Sequence, residues 1–143
     1  GAGIVTDTNM ALSGISRARL SPFGCAVSCH VADADVAETA QQGGITRSIA
    51  AMRKAVSDPA NRIFVIGNAP TALLELARLI REEGAKPALI IGVPVGFVSA
   101  AESKDVTLEV STPSIVARGR KGGSPIAVAI IHALLLLSAK APA

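Results

Sequence analysis

Two uninterrupted apolar runs restrict the possible folds of this chain more than any other feature. They span residues 63–66 (IFVI) and 88–91 (ALII), contain no polar alternation, and are each followed directly by a glycine. Runs of this kind are typical of strands buried on both faces, as in a parallel sheet that helices cover. Weaker strands are predicted at residues 3–6, 25–29 and 114–117.

Helical patterns alternate with these strands. Residues 71–83 predict an amphipathic helix that ends at Gly84. Its expected apolar face contains Leu73, Leu76, Ala77 and Ile80, and its expected polar face contains Glu75, Arg78 and Glu82. Further helices are predicted at 35–42 and 45–57, and a last one begins at Ser124 as N-cap with Pro125 in its first turn. The alternation predicts an α/β fold, with an open, mostly parallel sheet and helices on both faces, in a single domain over residues 1–143.

Composition excludes several classes of partner. The net charge is only +3 and aromatic residues make up 2% of the chain, which argues against a nucleic-acid partner. The most apolar segment, residues 126–137, is too short to span a bilayer, so no membrane partner is predicted.

Cys25 and Cys29 would lie about 13 Å apart on one strand, too far for a disulfide. No metal-ligand set surrounds them, and the protein is predicted to be reduced and cytoplasmic.

Glycine-rich loops follow three of the predicted strands, at residues 67–71, 92–97 and 119–124. Ligands of open α/β sheets bind beyond the carboxyl ends of the strands. Each loop also precedes a helix N-terminus, where free amides and the helix dipole favour anions. Lys104, Arg120 and Lys121 add positive charge. The sequence therefore predicts a crevice at this edge for a polycarboxylate or a phosphate, although glycines at strand ends are often no more than turn residues.

Several polar residues have equally simple structural interpretations. Ser99 and Glu102 have the spacing of a capping box, and Asn68 has the character of an N-cap. Arg78 and Arg81 fit a solvated helix face. His132, within an apolar helix, is interpreted as a hydrogen-bonded core or interface histidine. No phosphate-loop, dinucleotide or Ser-His-Asp pattern is present, so the residue types alone do not define a reaction.

Longer motifs connect the chain to a known family. Residues 67–73 (GNAPTAL), 92–98 (GVPVGFV), 101–104 (AESK) and 119–124 (GRKGGS) resemble the motifs of precorrin-8X methylmutase, also called precorrin isomerase. Residues 7–10 (DTNM) with 14–15 (GI), and 46–48 (TRS), match the same family in the same order. The resemblance covers nearly the whole chain.

The resemblance implies an isomerase of cobalamin biosynthesis. Family members move a methyl group from C-11 to C-12 of precorrin-8X or its cobalt form, giving hydrogenobyrinic or cobyrinic acid, as homodimers and without an organic cofactor. Arg47 is the leading candidate to bind a peripheral carboxylate of the corrinoid, because an Arg fork can do so bidentately; the alternative is a surface helix cation. The remaining candidates for substrate binding are Thr46, Asn68, Thr71, Gly96, Phe97, Lys104, Arg120, Gly122, Gly123 and Ser124, of which Gly96 and Phe97 would border the macrocycle.

The catalytic residue stays unassigned in this sequence. The family's catalytic histidine lies N-terminal to the segment that resembles residues 1–6, and neither His30 nor His132 stands at its position. The start at Gly1 without a methionine, directly before a strand, is expected to mark a missing segment. Two alternatives remain open: a corrinoid-binding paralogue or fragment without isomerase activity, and an unrelated α/β enzyme acting on a phosphorylated metabolite.

Overall fold

The computed structural model describes residues 1–141, which form five strands and seven α-helices. The strands are β1 (Gly3–Thr6), β2 (Ala26–Cys29), β3 (Asn61–Ile66), β4 (Leu89–Gly92) and β5 (Ser114–Val116). The helices are α1 (Asn9–Gly14), α2 (Arg17–Leu20), α3 (Ala34–Gly43), α4 (Arg47–Val56), α5 (Pro70–Glu83), α6 (Ala100–Glu109) and α7 (Ser124–Lys140), and a 3-10 helix covers Ser21–Phe23. Within this part of the chain, no helix is long and apolar enough to cross a membrane.

All five strands belong to one parallel sheet, in the order β2-β1-β3-β4-β5. The two apolar runs form its centre, where Phe64 pairs with Val5 on one side and with Ile90 on the other. Phe64, Ile90 and Ile91 are at most 1% exposed. The predicted parallel α/β sheet, with two strands buried on both faces, is confirmed.

Helices cover both faces of the sheet. On one face, Phe64 and Ile90 pack with Met52 of α4 and with Leu73 and Leu76 of α5. On the other face, the cluster combines strand residues with side chains of α2 and α7; its buried members are Ile4, Ile15, Leu20, Val65, Ile91, Val93, Ala127 and Ile131. Burying each large aliphatic side chain contributes about 1.5–3 kcal/mol to stability. The core is therefore two apolar layers with the sheet between them.

The strand order reverses direction at β1, and this positions the crevice. The chain steps from β1 outward to β2 and then returns to the other side of β1 to form β3. Connections on the two sides therefore diverge beyond the carboxyl end of β1, which is where ligands of such sheets bind.

The polar face predicted for α5 is partly wrong. The side chain of Glu75 is only 7% exposed, because α4 packs against the side of α5 that was expected to face solvent. Its Oε1 accepts hydrogen bonds from Arg53 Nε at 2.8 Å and from Arg78 Nη2 at 2.6 Å. Arg78, expected on a solvated face, is half-buried and also pairs with Glu82 and Glu83.

Two predicted helix caps are also wrong. Ser124 is the first residue of α7 rather than its N-cap; Gly123 takes the N-cap position without a side-chain bond. Ser99 caps α6 in a left-handed conformation, φ +63°, and its hydroxyl makes no cap bond, so Ser99 and Glu102 do not form a capping box. In both places the backbone follows a tight loop rather than the extended entry that a side-chain cap requires.

Replacing Glu75 by Gln tests the buried ion pair. Burial works to raise the pKa of Glu75, but the hydrogen bonds from Arg78 and Arg53 outweigh it and hold the pKa below its ordinary value of 4.5. A carboxyl group whose folded pKa is lowered stabilises the fold above its unfolded pKa and loses that contribution as the pH falls through the folded one. In urea unfolding, we expect Glu75→Gln to lower stability by about 1–2 kcal/mol at neutral pH.

The same variant should show a weaker dependence of stability on pH between about pH 5 and about pH 3. Glu109→Gln is the matched control, since Glu109 pairs with Arg81 at the surface with 69% of its side chain exposed. Parallel pH profiles for the parent and Glu75→Gln would contradict the interpretation.

Candidate functional site

The structure brings the three glycine-rich loops together at the carboxyl edge of the sheet. We call them the β3 loop (residues 67–69), the β4 loop (93–99) and the β5 loop (117–123). Gly123 N donates to Val93 O at 2.8 Å, and Gly96 N donates to Arg120 O at 3.0 Å. The β4 and β5 loops are thus joined along their backbones and form one continuous surface.

Two glycines are required by close packing between these loops. A Cβ atom on Gly122 would lie 2.0 Å from Val93 O, and one on Gly67 would lie 2.7 Å from Ser124 Cα. Backbone atoms cannot move aside as the end of a flexible side chain can. At these two positions glycine permits contact between neighbouring loops, which is a different role from that of a turn residue.

The anion site predicted in the β3 loop is occupied by the chain itself. Asp7, directly after β1, is 2% exposed. Its carboxylate accepts hydrogen bonds from Gly67 N at 2.9 Å, Asn68 N at 2.8 Å and Ala69 N at 2.7 Å. Burial raises the pKa of Asp7, and the three amide bonds act in the opposite direction. These amides are not available to an external anion, and the N-cap of α5 is Ala69 rather than Asn68.

Lys104, predicted to add positive charge to the crevice, lies within the fold. The residue is completely buried, and its Nζ donates to Gly119 O at 2.6 Å and to Lys121 O at 2.7 Å. Burial lowers the pKa of this ammonium group. Lys104 therefore holds the β5 loop from within the fold.

Ser124 and Gly123 are also engaged within the fold. Ser124 Oγ lies 2.9 Å from Thr8 Oγ1, and Thr8 Oγ1 in turn accepts from Ala11 N at the start of α1. Since Gly123 N already donates to Val93 O, this amide, one of the predicted donors, is not available to an external anion. Gly122 is half-buried in the same loop, and its lack of a side chain lets it pass close to Val93.

Exposed groups of two kinds remain at this edge. Arg120 is exposed, and its Cζ lies 5.5 Å from the centroid of the Phe97 ring. Phe97 is 86% exposed, Val98 82% and Met10 70%. Positive charge and apolar surface therefore lie side by side, which suits a ligand with an apolar face and an acidic margin.

Arg47 lies at the same level of the molecule. Helices α4 and α5 flank β3 and both run opposite to it, and the bond between Arg53 and Glu75 links them. Arg47 is six residues before Arg53, and Ala69 is six residues before Glu75. Because six residues of an α-helix span about 9 Å, both lie about 9 Å from that bond, toward the carboxyl edge of the sheet. Arg47 is exposed, belongs to no ion pair among residues 1–141, and borders a hollow of about 500 Å³ between α3 and α4.

The other predicted polar residues take varied positions. Thr46 uses its hydroxyl to cap α4, accepting from Ile49 N at 3.2 Å. Asn68 is exposed and Thr71 half-buried, both beside the start of α5. Sequence reasoning treated Asp7, Thr8 and Met10 only as parts of a family motif. Because these residues directly follow β1, where the strand order reverses, their position could have indicated that they lie at the carboxyl edge.

Both histidines are hydrogen-bonded within the chain. His132 Nε2 accepts a hydrogen bond from Ser16 N at 3.0 Å, which confirms the prediction of a hydrogen-bonded histidine. Burial, and secondarily Arg19, lower its pKa. His30 Nδ1 lies 2.9 Å from Asp33 Oδ2, in a group completed by the ammonium of Lys54.

Another hollow, of about 520 Å³, lies at the opposite edge of the sheet. Asp58, Arg62, Glu83 and Lys86 contribute its charges. The C-terminal ends of α4 and α5 point toward it, and their dipoles oppose the binding of an anion. The hollow is not a site of the predicted kind.

Comparison with known proteins gives a consistent result. The family model of precorrin-8X methylmutase matches residues 1–137. The cobalt-precorrin-8 methylmutase of Leptospira interrogans is 55% identical over 98% of this chain and 67% of its own length. That of Priestia megaterium is 47% identical over 96% and 61%, and the precorrin-8X methylmutase of Pseudomonas aeruginosa is 43% identical over 94% and 65%. The chain therefore spans about 61% to 67% of the length of these relatives.

Solved structures agree with the sequence relatives. A precorrin-8X methylmutase related protein superposes with a TM-score of 0.88 at 39% identity, covering 96% of this chain and 72% of the other. The precorrin-8X methylmutase of Thermus thermophilus superposes with a TM-score of 0.87 at 41% identity, covering 97% and 68%.

Replacing Asp7 by Asn tests the internal anion site. The variant loses one acceptor oxygen and places an NH₂ group against backbone donors, so we expect a loss of about 2–4 kcal/mol in the free energy of unfolding. Asp58→Asn is the control, because Asp58 is exposed and its carboxylate accepts a single backbone bond, from Ala60 N. Urea unfolding of both variants provides the measurement. Equal, small losses in the two would show that the Asp7 carboxylate does not stabilise the β3 loop.

Proposed function

The chain belongs to the precorrin-8X methylmutase family, and from this premise we propose that it acts in cobalamin biosynthesis as an isomerase. The proposed reaction moves a methyl group from C-11 to C-12 of precorrin-8X or its cobalt form. The observation that carries the proposal is the carboxyl edge of the sheet, where the exposed guanidinium group of Arg120 lies beside the exposed Phe97 ring on the loops that bear the family motifs.

The reaction places particular demands on the protein. An isomerisation consumes no second substrate, so the site must chiefly hold and orient one large, flat, polyanionic molecule while a proton is delivered to it. Arg47 and Arg120 are proposed to bind peripheral carboxylates, each by a fork of two parallel N–H donors. Asn68 and Thr71 are proposed to donate further hydrogen bonds, with Gly96 and Phe97 along the macrocycle.

The remaining candidates are proposed to act through the scaffold. Lys104 holds the two carbonyls that flank Arg120, and Gly122 and Gly123 keep the β5 loop against Val93. Thr46 and Ser124 orient the starts of α4 and α7 in the same way. The proposal assigns no proton donor to this chain, because neither His30 nor His132 stands at the position that the family resemblance makes catalytic.

We also propose that the chain forms a homodimer through the outer face of α7. Ile126, Leu136 and Leu137 are 41%, 56% and 65% exposed on this helix, and apolar surface of this kind commonly marks a protein contact. Sedimentation at several protein concentrations measures the association.

A cytoplasmic location is proposed because Cys25 and Cys29 are free thiols.

Corrinoid binding and turnover test the function. The purified chain is titrated with hydrogenobyrinic acid and, separately, incubated with precorrin-8X while the visible spectrum is recorded. We expect a spectral shift on titration and conversion of precorrin-8X to hydrogenobyrinic acid. Binding without conversion would favour the corrinoid-binding alternative, and the absence of any spectral change would favour an enzyme of phosphorylated metabolites.

Replacing Arg47 by Ala tests the leading binding residue. Loss of a charge-assisted pair should weaken the binding of hydrogenobyrinic acid about tenfold. Arg62→Ala is the matched control, because Arg62 is an equally exposed arginine at the opposite edge of the sheet and should leave the affinity unchanged. An Arg47→Ala variant that binds as tightly as the parent would remove Arg47 from the site.

A further inference from the structure

Phe97 and Arg120 form a pair at the surface of the carboxyl edge. The guanidinium carbon lies 5.5 Å from the ring centroid, within the range of a cation–π contact. The ring nevertheless stays 86% exposed. A large aromatic side chain so open to solvent has little structural reason for its position, whereas a ring that receives a ligand needs this exposure.

The backbones beneath this pair are fixed to one another. Gly96 N, one residue before Phe97, donates to the carbonyl oxygen of Arg120 itself at 3.0 Å. The buried ammonium of Lys104 holds the carbonyls on either side of Arg120, those of Gly119 and Lys121. The two Cα positions are thus set by hydrogen bonds, and what remains free is the long Arg120 side chain.

The aromatic ring restricts that side chain before any ligand arrives. An unrestrained arginine loses rotamer entropy when it binds a ligand. Stacking on Phe97 removes part of that freedom in advance, and prior restriction of this kind increases affinity.

We propose that Phe97 is a positioning residue for Arg120. Its ring holds the guanidinium at the margin of a flat ligand, where the guanidinium binds a carboxylate, while the exposed part of the ring lies against the ligand's face. The inference rests on the proposed function and deepens it, because the site then selects corrinoids with acidic margins over the same corrinoids with esterified margins. Arg120 provides this selection, and the aromatic ring at position 97 makes it effective.

A double-mutant cycle tests the dependence. Dissociation constants for hydrogenobyrinic acid and for its methyl ester are measured by spectral titration for the parent, Phe97→Leu, Arg120→Ala and the double variant. We expect Arg120→Ala to weaken binding of the acid about tenfold, with little effect on the ester. Phe97→Leu, which keeps apolar bulk, should reduce the preference for acid over ester about two- to fivefold. In the Phe97→Leu background, Arg120→Ala should cost less than in the parent.

Two controls accompany the cycle. Phe97→Tyr keeps an aromatic face and should retain the parent's preference for the acid. Arg118→Ala removes an exposed positive charge from the same β5 loop and should also leave the preference unchanged. These surface substitutions are not expected to affect folding, which far-ultraviolet circular dichroism checks.

The possible failures can be told apart. Strictly additive effects in the cycle, or a Phe97→Leu variant that weakens acid and ester equally, would overturn the inference while leaving the proposed function intact. If the parent binds neither corrinoid, the proposed function fails, and the inference fails with it.

Discussion

The carboxylate of Asp7 is the interaction on which the carboxyl edge depends. It connects the end of β1 with the start of α5, across the point where the strand order reverses. Without an acceptor, three backbone amides would be buried or half-buried unpaired, at a cost of about 1–3 kcal/mol each. Because Asp7 supplies the acceptor, the β3 loop is held by hydrogen bonds within the chain itself. The packing of Gly67 against Ser124, and the bond between Ser124 and Thr8, both rely on the shape of that loop.

Charge at this edge is divided between an inner and an outer layer. Asp7 and Lys104 are both buried, yet they do not pair; each binds backbone groups of a different loop. A buried charge is tolerable only with such partners, since desolvation is otherwise very costly. The outer layer consists of the exposed guanidinium groups of Arg47 and Arg120. The inner charges help to determine where the loops lie, and the outer charges are the ones proposed to bind a ligand.

The sequence predicted the sheet well because the information about it is local. The runs at 63–66 and 88–91 identify buried strands by composition alone, and the ends of parallel strands must meet at one edge. The roles of individual residues were harder to predict because they depend on distant partners. Asp7 reaches Gly67 across 60 positions, and Lys104 reaches Lys121 across 17. No short-range pattern distinguishes a lysine that holds a loop from one that binds a ligand.

The burial of Glu75 in the core was also hard to predict from the local sequence. Helical periodicity assigned it to a polar face, which holds for a helix with one packed side. Helix α5 packs on the sheet, on α4 and on α6, so its buried surface is wider than its apolar stripe. The chain places a carboxylate in the extra buried area and satisfies it with two arginines. That bond links α4 and α5, the two helices whose N-terminal ends carry Arg47 and Thr71. A polar contact far from the crevice therefore helps to fix the distance between two residues proposed to bind the same ligand.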